Sequence, residues 1–240
     1  MVYHIAARMR ACLPKPLLDR LFALRSYLKS YSTQSYSQEG EDMIVRRIFQ
    51  ERPTGFYVDI GAYHPKHLSN TYYFYQRGWH GINIDAMPGS MKLFYRLRPR
   101  DINIEAAIAA ETSEKTFYVF NGRALNTLDS QLAEQRNEGE TRLIEIHTVK
   151  TQRLDTILAE RLPTGKQIQF MSIDVEGYDL EVLKSNDWSQ FRPEYILVEV
   201  WDLELAHSAS HPVVAYLAMQ EYSLVGKAYS TAFFRDNRND

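Results

Sequence analysis

The chain has 240 residues and a mass of 28.0 kDa; 45% of it is hydrophobic and 24% charged, the usage of one folded domain with a short appendage, which excludes a disordered or collagen-like chain. With 28 Lys and Arg against 30 Asp and Glu the net charge is −2, so no basic field points to a nucleic-acid partner. One cysteine, Cys12, forms no internal disulfide and favours a reducing compartment, and no apolar run approaches the ~20 residues of a membrane-spanning helix.

Residues 1–30 carry six basic residues and one acid, and Arg8 and Arg10 interrupt what a secretory signal would keep apolar. Leu17, Leu21, Leu24 and Leu28 recur at helical spacing behind Pro14 and Pro16, which predicts a short basic amphipathic helix. Such a helix either packs its leucines on the domain or gives a weak foothold on an anionic membrane, so the expected location is cytoplasmic, with contact to the inner membrane face as the further option. Residues 1–30 are thus read as an extension and 31–240 as the domain.

From residue 31 onward, apolar runs alternate with helical patterns, an α/β signature. Strands are expected over Gly55–Ile60, Gly81–Asp85, Ile102–Ala107, Gln169–Asp174, Tyr195–Val200, Tyr222–Val225 and Thr231–Phe234. Ser69 can cap a helix that stops at Gly78, and Pro88 can open a second that ends before Pro99. KTFYVF and LIEIHTV read as two additional strands around the polar stretch 121–142, an excursion long enough to carry function.

In an open parallel sheet the ligand lies beyond the carboxyl ends of the strands. Here those ends are acidic: Asp59 with Gly61 after the first strand, Asp85 after the second, Asp174 and Glu176 after the fourth, and Glu199 near the end of the fifth. Asp85 stands 24 residues after Gly61, where a carboxylate can accept both ribose hydroxyls, although an acid there can equally cap a helix. No glycine-rich pyrophosphate loop is present. An adenosine donor without phosphate, S-adenosylmethionine, fits that absence and the acidic tips.

The segments YSQEGED (36–42), GFYVDIGAYHP (55–65), SNTYYFYQRGWHGINIDAMP (69–88), FMSIDVEGYD (170–179) and RPEYILVEV (192–200) resemble the FkbM family of S-adenosylmethionine-dependent methyltransferases. The resemblance implies a class I methyltransferase fold: a Rossmann-like seven-stranded sheet with helices on both faces and the last strand antiparallel. It implies cofactor contacts from Asp59, Gly61, Asn70, Asp85, Glu105, Ala106 and Asp174, and from Gln38 and Glu41 at the cofactor's amino-acid end. It also implies O-methylation of a sugar hydroxyl in a glycolipid, polysaccharide or lipo-oligosaccharide, with a methylpentose such as fucose as the narrower expectation; a macrolide-like hydroxyl or a silent S-adenosylmethionine-binding protein is the alternative.

An alcohol must lose its proton as it attacks, so a base is expected. Asp174 leads, with Glu176 and Glu199 close enough to share the site and raise one another's pKa. Asp174 and Glu199 could instead hold a divalent metal, which is not favoured, and Asp174 and Glu176 could merely cap the helix starting at Tyr178. His64 is a second candidate base, while His64 and His67 lack the spacing of a zinc site. Tyr72, Tyr73, Tyr75 and Trp79 read as core, and Trp201 and His207 as the residues placed to touch an acceptor.

Overall fold

The segment FYVDI becomes a strand because every one of its residues is buried, which a parallel strand covered on both faces requires. In the computed structural model, which describes residues 14–239, it is β1 (Phe56–Ile60), an interior strand of a seven-stranded sheet. The other strands of that sheet are β2 (His80–Asp85), β3 (Ile102–Glu105), β7 (Phe170–Ile173), β8 (Tyr195–Glu199), β9 (Tyr222–Ala228) and β10 (Thr231–Asp236). Their order is β3-β2-β1-β7-β8-β10-β9; pairing is parallel from β3 to β8, and β10 runs antiparallel to both neighbours. This is the sheet the resemblance implies.

Alternation along each strand feeds two cores. Phe56, Val58 and Ile60 point with Met171, Ile173, Ile196 and Val198 to one face, where they meet α6 (Leu154–Arg161), α7 (Asp179–Lys184) and α8 (Pro212–Met219). Tyr57, Phe170, Leu197 and Phe233 point to the other, where α2 (Glu41–Ile48) and α3 (Tyr72–Gln76) supply Val45 and Phe74, and Trp79 packs beside them. Trp79 is core, as expected; Tyr73 lies at that core's edge beneath the guanidiniums of Arg46 and Arg77.

Three expected boundaries move. Helix α4 (Met91–Leu97) begins three residues after Pro88, because Pro88 and Gly89 are spent turning the chain out of β2. The run Ile102–Ala107 is not one strand: β3 stops at Glu105, and β4 (Ala107–Ile108) crosses to a second sheet ordered β4-β6-β5. There β5 (Glu114–Phe120) and β6 (Leu143–Gln152) pair antiparallel, with a 3-10 turn Arg123–Leu125 and α5 (Ser130–Arg136) between them. The cap of α3 is shared: Thr71 occupies the cap position, while Ser69 Oγ accepts the Tyr72 N–H at 3.1 Å.

The chain divides at residues 34 and 35 into two units. In the first, α1 (Lys15–Leu28) carries the four expected leucines, all exposed, and Arg8, Arg10 and Cys12 lie outside the described residues. Among the described residues no helix is long and apolar enough to cross a membrane.

Candidate active site

Gly61 turns the chain out of β1 with φ +80°, and a Cβ built there would lie 1.7 Å from the Asp174 carbonyl oxygen. Only glycine lets the tips of β1 and β7 approach this closely. The gap above them opens into a cavity of about 380 Å³, bordered by Gly61, Tyr63, Asp85, Ala106, Asp174 and Glu176. Its far wall belongs to the second sheet and the segment after β5, through Phe117, Arg123 and Asn126. The excursion that interrupted the α/β rhythm is therefore part of the site.

Asp85 accepts the N–H of Tyr63 through Oδ2 and that of Met87 through Oδ1, both at 2.9 Å. These bonds hold the two loops that border the cavity, and each oxygen keeps a lone pair for a ligand. Burial raises the Asp85 pKa, while the two amides oppose the rise. Tyr63 pays for its position with φ +50°, a left-handed backbone uncommon for a bulky residue.

At the other end, Asp174, Glu176 and Glu199 each offer an oxygen within 4.8 Å of the others. Glu176, itself at φ +56°, is clamped by Arg136 of α5, and its carbonyl accepts the Thr127 hydroxyl at 2.7 Å. Burial of the carboxylate among protein atoms, then the charges of Glu199 and Glu176, lift Asp174 well above the usual range. Because the residue is open to solvent at the cavity mouth, we assign the direction mainly to the neighbouring carboxylates. Glu199 is 8% exposed and pushed up to about 8, by burial first and by Glu176 and Asp179 next. One of its oxygens, Oε2, is buried without a hydrogen-bond partner. The arrangement can share a proton between Asp174 and Glu199 and accept one from a hydroxyl. The same acids fit a divalent cation in number and chemistry, although Arg136 already balances one of the three charges.

Asp174 and Glu176 do not cap α7. The helix has no side-chain cap; Asp179, its first residue, instead folds the preceding loop back on itself, its carboxylate accepting the Val175 and Gly177 N–H groups at 3.2 and 3.1 Å, and burial pushes its pKa up to about 8. His64 borders the cavity, but its Nδ1 accepts the N–H groups of Lys66 and His67 at 3.0 and 2.9 Å. Burial and His67 lower its pKa. The lone pair a base would use is occupied, so His64 can offer a ligand only its Nε2–H.

The remaining expected contacts stand away from the cavity lining. Glu41 is buried and accepts the Glu39 N–H and the Thr231 hydroxyl at 2.8 and 3.2 Å. Asp42 gathers Ser35, Tyr36 and Ser37. Thus YSQEGED, with Gln38 inside it, ties the entry to α2 to the start of β10 and does not border the cavity. Asn70 bonds Ser172 Oγ at 3.0 Å, and Glu105 takes the Gly89 N–H at 2.6 Å, bracing the loop whose neighbour Ala106 does face the cavity. Asp59 lies beneath the floor, bound to the Thr71 hydroxyl at 2.7 Å. Thr71 also receives buried Arg98, which pairs with Asp101 at 2.7 Å and donates to the Tyr57 hydroxyl at 2.7 Å. His207 sits in an exposed 3-10 turn beside Glu204. Arg136, Arg123 and Asn126 were not legible as site residues, since each reaches the tips from a distant segment.

The family model of the methyltransferase FkbM domain matches residues 59–222. No curated protein matches the sequence significantly. Among solved structures, a methyltransferase from Geobacter sulfurreducens aligns over 98% of this chain and 96% of its own at 10% identity and a TM-score of 0.42. The 1,6-didemethyltoxoflavin-N1-methyltransferase of Burkholderia thailandensis, with bound S-adenosylhomocysteine, aligns over 98% and 89% at 12% identity and a TM-score of 0.41.

Proposed function

The chain belongs to the FkbM family of S-adenosylmethionine-dependent methyltransferases, and within that activity we propose that it methylates a hydroxyl of a saccharide, a methylpentose such as fucose, in a glycolipid, polysaccharide or lipo-oligosaccharide. The observation that carries the reading is a single cavity with a hydroxyl-accepting carboxylate, Asp85, at one end and a proton-accepting acid cluster at the other. Its volume of about 380 Å³ lies in the range, roughly 300–1,000 Å³, of small-molecule sites. When bound, S-adenosylmethionine supplies a methyl group activated on a sulfonium.

Asp85 takes the ribose hydroxyls with the lone pairs its amide bonds leave, and Ala106, Ile108 and Phe117 flank the base. Gly61 lets the β1 and β7 tips close together beneath the amino-acid end. Asp174 and Glu199 receive the proton of the acceptor hydroxyl as attack proceeds, and Glu176, paired with Arg136, keeps the loop in place. Calorimetry tests the first half: S-adenosylhomocysteine binds at micromolar concentration, NAD gives no heat, and Asp85→Ala abolishes binding. Transfer from labelled S-adenosylmethionine to methylpentose glycosides tests the second, and a wild-type protein that methylates no saccharide overturns the acceptor assignment.

The three carboxylates and the unpartnered Glu199 oxygen support a metal-assisted second reading. Loss of transfer in a chelator, restored by magnesium, would establish it. For α1 we propose a weak hold on anionic membrane, carried by its exposed leucines between basic residues; equal co-sedimentation with liposomes by full-length protein and protein lacking residues 1–30 would remove it.

A further inference from the structure

The acid cluster has two sides. Asp174 and Glu176 border the donor cavity, whereas Glu199 lies outside its lining. Two residues past Glu199 the chain leaves β8 through Trp201. That indole is 55% exposed, and the ring of Tyr229, 76% exposed, meets it edge to face with centroids 5.9 Å apart and 88° between planes. The two rings come from separate elements that the sheet brings together. Tyr229 occupies the two-residue turn between β9 and β10, Thr231 stands opposite Glu199, and the Val200 N–H bonds the Ser230 carbonyl at 2.7 Å.

Neither ring is needed to fill the core. Tyr229 holds φ +42°, a left-handed backbone that tight hairpin turns ordinarily give to Gly or Asn. A bulky aromatic there is strained and exposed at once, a combination that occurs where recognition rather than folding sets the residue. What the corner offers a ligand is equally specific: two π surfaces, and beside them the buried Glu199 Oε2, which accepts hydrogen bonds and has none. A sugar ring matches it, with an apolar C–H face for the rings and hydroxyl donors along its edge. An anionic acceptor would meet three carboxylates.

Resting on the reading of the acceptor as a saccharide, we propose that Trp201 and Tyr229 form the acceptor subsite: the aromatic pair holds the C–H face of the sugar, and Glu199 Oε2 takes one of its hydroxyls. The acceptor therefore approaches from the β8–β10 side, and the donor from the β1–β2 side, of the same acid cluster.

The test uses full-length protein saturated with S-adenosylhomocysteine and a panel of methyl glycosides (fucoside, rhamnoside, galactoside, mannoside), with tetramethylammonium as a cationic competitor. Tyr229→Gly removes the ring and relaxes its backbone, so this variant keeps the fold; Trp201→Leu is the second. Tryptophan fluorescence reports glycoside binding, calorimetry reports donor binding, and labelled transfer gives kcat and KM. The expected result is a tenfold or larger rise in acceptor KM for either variant, with kcat within threefold for Tyr229→Gly and donor affinity within twofold of wild type. Unchanged acceptor KM in both variants, on a glycoside the wild type methylates, overturns the subsite and leaves the saccharide reading standing. A wild type that binds S-adenosylhomocysteine but no glycoside, or binds only tetramethylammonium, overturns both.

Discussion

The two ends of the cavity are built on opposite plans. At the β1–β2 end the polar groups are spent on backbone: Asp85 holds two loop amides, Glu105 a third, and Asp59 beneath them is tied through Thr71 to the buried Arg98–Asp101 pair. At the β7–β8 end three carboxylates crowd within 4.8 Å, one buried oxygen has no partner, and the surrounding rings are exposed. The buried atoms left without a partner at the first end, Asn83 Oδ1 and Ser90 Oγ, are neutral, and a network of that kind fixes shape; crowded acids hold protons poised to move. The difference teaches that one end is organised to hold a ligand and the other to change its protonation.

The largest effect should come from breaking the hinge between the two. Gly61→Ala places a Cβ where the Asp174 carbonyl oxygen stands and forces alanine into φ +80°. The backbone strain alone is worth roughly 1–3 kcal/mol, and the overlap adds to it, so donor binding should be lost and the thermal midpoint lowered. Gly226→Ala, with nothing within 4 Å of its added Cβ, is the control that should change neither. Retained donor affinity in Gly61→Ala would deny the hinge its role.

Next in size is the acid end by itself. Asp174→Asn should lower kcat by about 10²–10⁴, the usual worth of a positioned base, while S-adenosylhomocysteine affinity stays within a few-fold. If Asp174→Asn lost donor binding as completely as Asp85→Ala, the two ends would not be separable.

How much of this was legible follows the same division. Strand tips could be read because alternation and buried runs fix where a strand stops, so Gly61, Asp85, Asp174, Glu176 and Glu199 all arrive at one edge of the sheet. Direction was not readable. Asn70 and Glu105 lie close to the tips in sequence yet spend their side chains on Ser172 and Gly89, and Glu41, well ahead of the first strand, spends its own on Thr231. Sequence proximity to a tip does not say which face a side chain takes once the chain leaves the strand. The partners that complete the acid end come from 40 residues earlier, as Arg136 does for Glu176, or from across a hairpin, as Tyr229 does for Trp201. Such pairings exist only after the second sheet and the β9–β10 turn have formed.

A smaller effect separates the ends by pH. Glu199, at about 8 when folded, must be deprotonated to accept a proton, so kcat/KM should rise with pH and level off above about 8, and Glu199→Gln should remove that inflection. Stability runs the other way. Asp179 has its pKa raised from 3.8 to about 8 in the fold, so the folded state binds more protons than the unfolded one in that interval. Its contribution is fully present below about 4 and is lost as pH rises toward 8. Urea midpoints should fall across this window while activity climbs; midpoints that rose with pH would contradict the upward shift.

The smallest effect lies beneath the floor. Asp59 is raised from 3.8 to about 6 by burial, against the pull of Thr71 and Arg98, so at pH 8 the fold carries an ionised, buried carboxylate. Asn at this position keeps an oxygen for the Thr71 hydroxyl and removes that charge. Near pH 4 both proteins hold a neutral group there and should melt alike. At pH 8 Asp59→Asn should be the more stable, by at most about 3 kcal/mol if the whole shift is recovered, and by less because Arg98 loses one nearby anion. Lower stability of Asp59→Asn at pH 8 would mean that the Asp59 charge is needed to balance Arg98. The floor would then belong with the acid end as a charged assembly, and the division between a shape-fixing and a poised end would have to be redrawn.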